Sequence, residues 1–372
     1  MKVLNVYRTY YPDPPGGLQE AIRQICLSTT DLNVKNTIFT LSPNPAPQVI
    51  QRMEAQVVRS RSWASPASCD IGGISSLLNF RRLSKSADLN HYFFPWPFAD
   101  ILTMVISSSK PVILTYISDI VRQRAFGAMY APLMWKTLHK MNIIVANCPA
   151  YAQTSPILSH PSIRDKVRVI PLGINEASYP SNGDDTVFNR LDIKIDEPYF
   201  LFLGVLRYYK GVHTLINAAK YVDAKVVIAG SGPESMVLMK QAVELGLTNI
   251  VFAGQVTNEE KVSLIKNCRA LVLPSHLRSE AYGMVLVEAS MMGRPMISCE
   301  IGTGTSYVNL NENTGLVVEP ENAAQIANAM HTLLSEDALA NHMGINARLR
   351  YEQNFSGEAL GKAYLAAYKE VL

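Results

Sequence analysis

A chain of 372 residues with 48% hydrophobic content is long for one core and suits two globular domains. It has no uninterrupted apolar run of 18 or more residues and no repeat, so neither a membrane span nor a repeat fold is expected. The net charge of +3 hides an asymmetry: residues 1–175 hold 18 Lys/Arg and 9 Asp/Glu, whereas residues 176–372 hold 16 and 22. A basic first half implies that one domain faces something anionic. Nucleic acid is disfavoured, because the basic residues are dispersed and no zinc-finger, helix-turn-helix or aromatic RNA-binding signature accompanies them.

The chain opens on Lys2-Val3-Leu4-Asn5-Val6-Tyr7, a short strand followed by Arg8 that lacks the apolar core and cleavage site of a signal peptide, which points to the cytosol. Cys26, Cys69, Cys148, Cys268 and Cys299 are odd in number and widely spaced, so reduced thiols are expected rather than disulfides or a zinc site. Strands at 2–7, 36–40, 56–59, 89–93, 112–116, 143–146 and 167–170 alternate with helical patterns such as 18–27 and 74–83. This alternation predicts a doubly wound, mainly parallel α/β sheet.

Several first-half features admit two readings. Gly16-Gly17 either lets backbone approach a ligand at a helix start or makes a tight turn after Pro14-Pro15. It is not the dinucleotide fingerprint, which disfavours a plain dehydrogenase. His91, Tyr92, Phe94, Trp96 and Phe98 close a strand and either stack on a sugar or lipid, or fill the core. Asp119 ends the next strand and suits a helix cap. Ile74, Leu77 and Leu78 with Arg81, Arg82 and Lys85 form either an amphipathic surface for anionic lipid or a solvated helix face.

Residues 176–198 contain Asn182-Gly183-Asp184-Asp185 and few apolar residues, as expected of a linker. The second half repeats the alternation, with strands at 199–203, 225–229, 250–252, 270–273, 295–298 and 316–318, helices between them, and helix from 321 to 372. Its first turn carries Arg207 and Lys210, which suit a pyrophosphate as fork and point charge, or are surface charges. Glu280 falls in the loop after the fourth strand and Glu288 one to two turns inside the next helix, whose first N–H groups near Gly283, Met284 and Val285 suit a phosphate. The plain alternative is a helix-start carboxylate and a solvated one. Further turns at 230–233, 254–257 and 300–306 bring to five the loops on one predicted sheet edge, which favours a binding cleft.

Together these residues resemble the retaining glycosyltransferases of family 4. Glu280 and Glu288 match the E-x7-E motif, Arg207 and Lys210 the R-x-x-K clamp, residues 169–175 the V-I-P segment, and Gly16-Gly17 the first glycine loop. Residues 91–98 and 302–307 look most like bacterial O-antigen mannosyltransferases. The resemblance implies the GT-B fold, two Rossmann-like domains across a cleft: an acceptor-side domain over 1–175, a linker over 176–198, a nucleotide-sugar domain over 199–353, and a last helix over 354–372 returning toward the first.

By that resemblance Arg207 and Lys210 neutralise the departing diphosphate, Glu280 holds donor-sugar hydroxyls and Glu288 the ribose. Gly17 lays its backbone on the donor phosphates once the domains close, and residues 254–257 wall the base. The implied donor set adds Gly16, Gly204, Gly230, Gln255, Val256, Gly283, Met284 and Val285; His91 joins the catalytic set, and Tyr92, Trp96, Ser118 and Asp119 face the acceptor. The implied reaction needs no metal or cofactor beyond a nucleotide-sugar, GDP-mannose foremost. The resemblance further implies a lipid-linked oligosaccharide as acceptor, at the anionic inner face of the cytoplasmic membrane. Glu280 then positions the donor and is no glycosidase nucleophile. Two departures stand out: Ile117 occupies a position where the family commonly has His, and Asn175 one where it has Asp. A GT-B nucleotide-sugar epimerase and a non-catalytic sugar-nucleotide or polysaccharide binder are the competing expectations.

Overall fold

The computed structural model describes residues 1–13, 16–65, 69–107, 109–119 and 124–372. The chain divides into two units, Met1–Gly173 with Gly357–Leu372, and Ile174–Ser356.

Unit 1 contains strands β1 (Lys2–Val6), β2 (Lys35–Ser42), β3 (Val49–Gln51), β4 (Gln56–Ala64), β5 (Ile71–Gly72), β6 (Leu89–Phe94), β7 (Val112–Tyr116), β8 (Ile143–Ala146) and β9 (Val167–Val169). Helices α1 (Gly17–Thr30), α2 (Ile74–Ser86), α3 (Pro97–Met104), α4 (Arg124–Lys140) and α5 (Pro149–Thr154) connect them. The sheet order is β3-β4-β2-β1-β6-β7-β8-β9, with β5 also paired to β4. Only β3 and β5 run antiparallel to their partner among these described pairings. The order reverses between β1 and β6. A strand as central as β6 is buried along its whole length, so its polar residues must find partners inside. Asn90 donates to Ser84 Oγ at 2.8 Å accordingly.

Unit 2 begins before its sheet. Residues 176–198, expected as a linker, are folded into it: helix α6 (Thr186–Arg190) buries Val187 and Phe188. Asp184 N–H donates to the Glu259 carbonyl at 3.1 Å, Ser263 Oγ to Asp185 at 2.6 Å and Arg190 to the Ala253 carbonyl at 3.0 Å. Few apolar residues suffice here because hydrogen bonds dock the segment.

The sheet of unit 2 is assembled from β10 (Tyr199–Leu203), α7 (Val212–Ala219), β11 (Lys225–Ala229), α8 (Ser235–Glu244), β12 (Ile250–Gly254), α9 (Asn258–Asn267), β13 (Ala270–Leu273), α10 (Met284–Met291), β14 (Met296–Cys299), α11 (Thr305–Val308) and β15 (Gly315–Val318). All its pairings are parallel, in the order β12-β11-β10-β13-β14-β15. The order reverses between β10 and β13, so loops leaving their carboxyl ends diverge and leave a crevice, the place where open α/β sheets take ligands. Helices α12 (Ala323–Ser335) and α13 (Asp337–Arg350) follow, then a π-helical turn over Tyr351–Phe355. The last helix, α14 (Gly357–Val371), belongs to unit 1 and packs on α1.

None of the five cysteines forms a disulfide. Among the described residues no helix is long and apolar enough to cross a membrane.

Candidate active site

The crevice at the β10/β13 reversal is built by two loops in close contact. After β10 the chain makes a 3-10 turn over Tyr208–Lys210 and leaves it through Gly211, whose φ is +70°. A side chain at Gly211 is excluded twice, by that left-handed backbone and by the Pro274 carbonyl, which would lie 2.0 Å from a Cβ. His276 N–H donates to the Tyr209 carbonyl at 3.1 Å and ties the loops again.

This approach carries Lys210 onto Glu280, and the two form an ion pair with side chains 13% and 10% exposed. Ser275 Oγ donates to the same Glu280 oxygen at 3.2 Å. Burial opposes the charge on Lys210, but the Glu280 carboxylate beside it outweighs that, and the ammonium is held above the usual lysine pKa. Arg207 is exposed on the same loop, near enough to oppose that charge slightly. The crevice thus offers two cations toward an anion and a carboxylate able to accept from hydroxyls.

Glu280 is fixed from behind. Thr303 Oγ1 donates to its carbonyl at 2.8 Å, Gly304 N–H to the Ala281 carbonyl at 3.0 Å, and Arg278 to the Gly302 carbonyl at 2.7 Å, so the loop after β14 braces the loop after β13. Gly283 then starts α10 with no side-chain cap; Met284 is half-buried and Val285 buried beside it. Glu288 is not the solvated carboxylate of the plain alternative. It is 12% exposed, accepts from Tyr179 OH at 2.5 Å and Lys261 Nζ at 3.1 Å, and Lys261 lies 4.5 Å from the Tyr179 ring centre.

The neighbouring loops share this edge. Gly204 N–H donates to the Ala229 carbonyl at 3.0 Å and Gly230 N–H to the Gly254 carbonyl at 2.7 Å, stitching three strand ends together. Gln255 is exposed and donates to Ser231 Oγ at 3.0 Å; Val256 is half-buried. Thr257 has a structural task, closing a capping box with Glu260 at the start of α9.

The family model described as "Glycosyl transferases group 1" matches residues 184–350. A D-rhamnosyltransferase, WbpZ of Pseudomonas aeruginosa, is 42% identical over 96% of this chain and 92% of its own. The chain belongs to the group 1 glycosyltransferases. The O-antigen chain mannosyltransferase C of Escherichia coli is 35% identical over 100% of this chain and 99% of its own. Among solved structures, the sucrose-phosphate synthase of Thermosynechococcus elongatus has a TM-score of 0.80 at 20% identity, covering 99% of this chain and 98% of that one. Anabaena HepE in complex with UDP has 0.80 at 16%, covering 100% of both. These likenesses show the fold, GT-B with two Rossmann-like units.

In this glycosyltransferase, unit 1 departs from several expectations. His91 is not a catalytic group: it is 0% exposed in the middle of β6, with Nδ1 2.9 Å from Tyr368 OH and Nε2 2.7 Å from Thr115 Oγ1. Burial pushes its pKa down to about 3, so it is a neutral core residue under α14. Tyr92 and Trp96 are each 1% exposed and have no surface to offer an acceptor; Trp96 donates to the Asp70 carbonyl at 2.8 Å. The aromatic run fills the core because β6 is central and covered on both faces. Ser118 and Asp119 are half-buried after β7, and Asp119 accepts from Tyr116 OH at 3.0 Å and Ser155 Oγ at 2.6 Å. The helix it was expected to cap would start in residues 120–123, outside the described residues. Gly16 precedes α1 in extended backbone and Gly17 opens it, with no atom within 4 Å of a Cβ placed there.

Sequence reading missed Ser275, Thr303, Lys261, Tyr179 and His276. His276 is 8% exposed, edge-on to Tyr208 and His213, with neither ring nitrogen bonded to a protein group among the described residues. Lys261 follows two glutamates on an amphipathic helix and reads as a solvated charge, while Tyr179 falls in the expected linker; only Ser275, beside the motif after a strand, carried a local signal.

Proposed function

We propose that this glycosyltransferase moves a hexose, mannose from GDP-mannose foremost, onto a lipid-linked saccharide in bacterial O-antigen assembly, with retention of configuration, at the inner face of the cytoplasmic membrane. The observation that carries the reading is the Lys210–Glu280 pair at the β10/β13 reversal. A diphosphate entering there would meet Lys210 and Arg207 where charge develops as the donor bond breaks, and Glu280 would turn from its lysine to the donor-sugar hydroxyls. Glu288, already accepting from Tyr179 and Lys261, would accept from ribose hydroxyls instead. No enzyme carboxylate serves as nucleophile in this reading. The acceptor attacks the face the diphosphate leaves, and the two cations take the place of a metal.

One relative, named for the O-antigen chain, supports the polysaccharide setting; the two relatives disagree about the sugar, one being named for mannose and the other for D-rhamnose. D-rhamnose is mannose without its 6-hydroxyl, so the donors differ by one hydrogen-bonding group.

A thermal-shift panel of GDP, UDP, GDP-mannose, GDP-rhamnose and UDP-glucose, followed by transfer assays with and without chelator, tests the reading. Donor at about 100 times its Kd should add about 2.7 kcal/mol to apparent stability. Lys210→Ala and Glu280→Ala should stay folded and lose transfer by about a hundredfold or more. Normal turnover in both rejects the site, a UDP preference rejects the donor, and chelator-sensitive transfer rejects metal-independence. Product formed from donor without acceptor would indicate an epimerase. Ile117 motivates a non-catalytic binder: donor binding without turnover, with some transfer restored in Ile117→His, would favour it.

A further inference from the structure

Unit 1 has a surface that the transfer chemistry does not use. Helix α2 contains no acidic residue and buries only Ser76, Phe80 and Ser84. Its outward stripe runs Ile74, Leu78, Arg81, Arg82, Lys85, about three turns or roughly 16 Å. Ile74 is 70% exposed and Leu78 62%. Trp63 of β4, 71% exposed, sits at the start of the helix, where a Cβ on Gly73 would come within 2.3 Å of its indole. The β4–β5 pairing adds exposed Ile71 to the same corner. The surface is therefore apolar at one end and cationic at the other.

The cations outnumber the acids beside them. Among the described residues none of Arg81, Arg82 and Lys85 has an acidic partner; Arg82 bonds only Asn79, at 2.9 Å. Asp88, just past the helix, accepts from the Lys2 backbone N–H at 2.7 Å. Two adjacent concavities of about 560 and 570 Å³ share Arg81 and Lys85, and Lys110 lines the second together with Asp88, so cations exceed acids there by three to one. A solvated helix face mixes both signs of charge and does not cluster large apolar side chains. Apolar residues and an indole beside cations of one sign match an anionic bilayer, with acyl chains under the first set and phosphate headgroups over the second.

We propose that the outer face of α2, with Trp63 and Ile71, is the surface on which this chain docks to an anionic membrane. This deepens the reading of a membrane-borne acceptor, although the docking itself needs no sugar transfer. The test is sedimentation of the full chain with phosphatidylcholine vesicles, with and without phosphatidylglycerol, at low and high salt. Binding is expected only to the anionic vesicles, weakening as salt rises, with a blue shift of tryptophan emission that Trp63→Phe removes. Arg81→Gln with Arg82→Gln should weaken partitioning about fivefold per charge, so roughly twentyfold or more, and Ile74→Ser with Leu78→Ser should weaken it with less salt dependence. Both variants should keep the native thermal midpoint and native transfer to a water-soluble acceptor analogue.

Equal binding to neutral and anionic vesicles, native-like binding by both variants, or retention on RNA but not on vesicles overturns the proposal. Transfer without vesicle binding rejects the surface alone. Vesicle binding without transfer rejects the proposed function and leaves the surface standing.

Discussion

A carboxylate beside a nearly buried lysine holds the ammonium charged, and removing the carboxylate strands that charge. Lys210 and Glu280 are such a pair, 70 positions apart. Their chemistry was legible from residue type and placement after a strand; their contact was not, since nothing local specifies which loops meet. His91 shows the opposite case. A histidine among aromatics at a strand end reads alike whether it faces a sugar or the core, and its partner Tyr368 lies 277 positions away. Unfolded, this imidazole protonates near 6.5; folded, burial keeps it neutral down to about 3. Its folded pKa is the lower, so the unfolded chain binds the extra proton, and stability falls by about 1.4 kcal/mol per pH unit below 6.5. Asp100, which burial pushes up to about 7, contributes the opposite slope above 3.8 and masks the effect in the native chain. The difference from His91→Asn exposes it: in urea unfolding the variant's deficit should be largest near neutral pH and shrink by about 1.4 kcal/mol per unit as pH drops from about 6.5 to about 5. A deficit constant across that window would show that the imidazole is not kept neutral.

At the scale of elements, periodicity was the reliable signal. Largely apolar runs of four or five residues became parallel strands because a strand covered by helices on both faces needs no alternation. What periodicity omits is the partner face. Helix α14 is amphipathic wherever it packs, and its seat on α1 depends on Gly361, where a Cβ would lie 2.3 Å from the Ser28 carbonyl oxygen. Gly→Ala inside a helix ordinarily stabilises by up to about 1 kcal/mol. Here the sign should reverse: Gly361→Ala should destabilise by about 1–3 kcal/mol, while Gly17→Ala in the facing helix, with open space at its Cβ, should leave stability unchanged or raise it. Denaturant midpoints of the two variants decide this, and a stabilised Gly361→Ala would mean that α14 does not pack as closely as described.

At the scale of the molecule, one unit is continuous in sequence and the other is not. Residues 174–356 form a complete parallel sheet carrying the Lys210–Glu280 crevice, so this segment expressed alone should unfold cooperatively and still bind a nucleoside diphosphate. Residues 1–173 alone should not fold, because without α14 the buried His91 and Thr115 lose Tyr368 and Tyr364. Fusing residues 357–372 back through a flexible linker should restore the unit, as judged by circular dichroism and amide exchange. A stable 1–173 fragment would show that the last helix is dispensable.

Legible in the sequence alone were the α/β class, the strands other than the short β3 and β5, the glycosyltransferase motifs and the basic first half, because burial pattern, turn chemistry and charge are properties of neighbouring residues. The tertiary structure decided which loops meet at the reversal of strand order, that Glu288 rests on Lys261 and Tyr179, that residues 176–198 are docked, and that His91, Tyr92 and Trp96 are core. Each of these depends on a polar or aromatic group finding a partner far along the chain. A hydrogen bond or close contact leaves no periodic trace in either of the segments it joins, so only the folded chain reveals it.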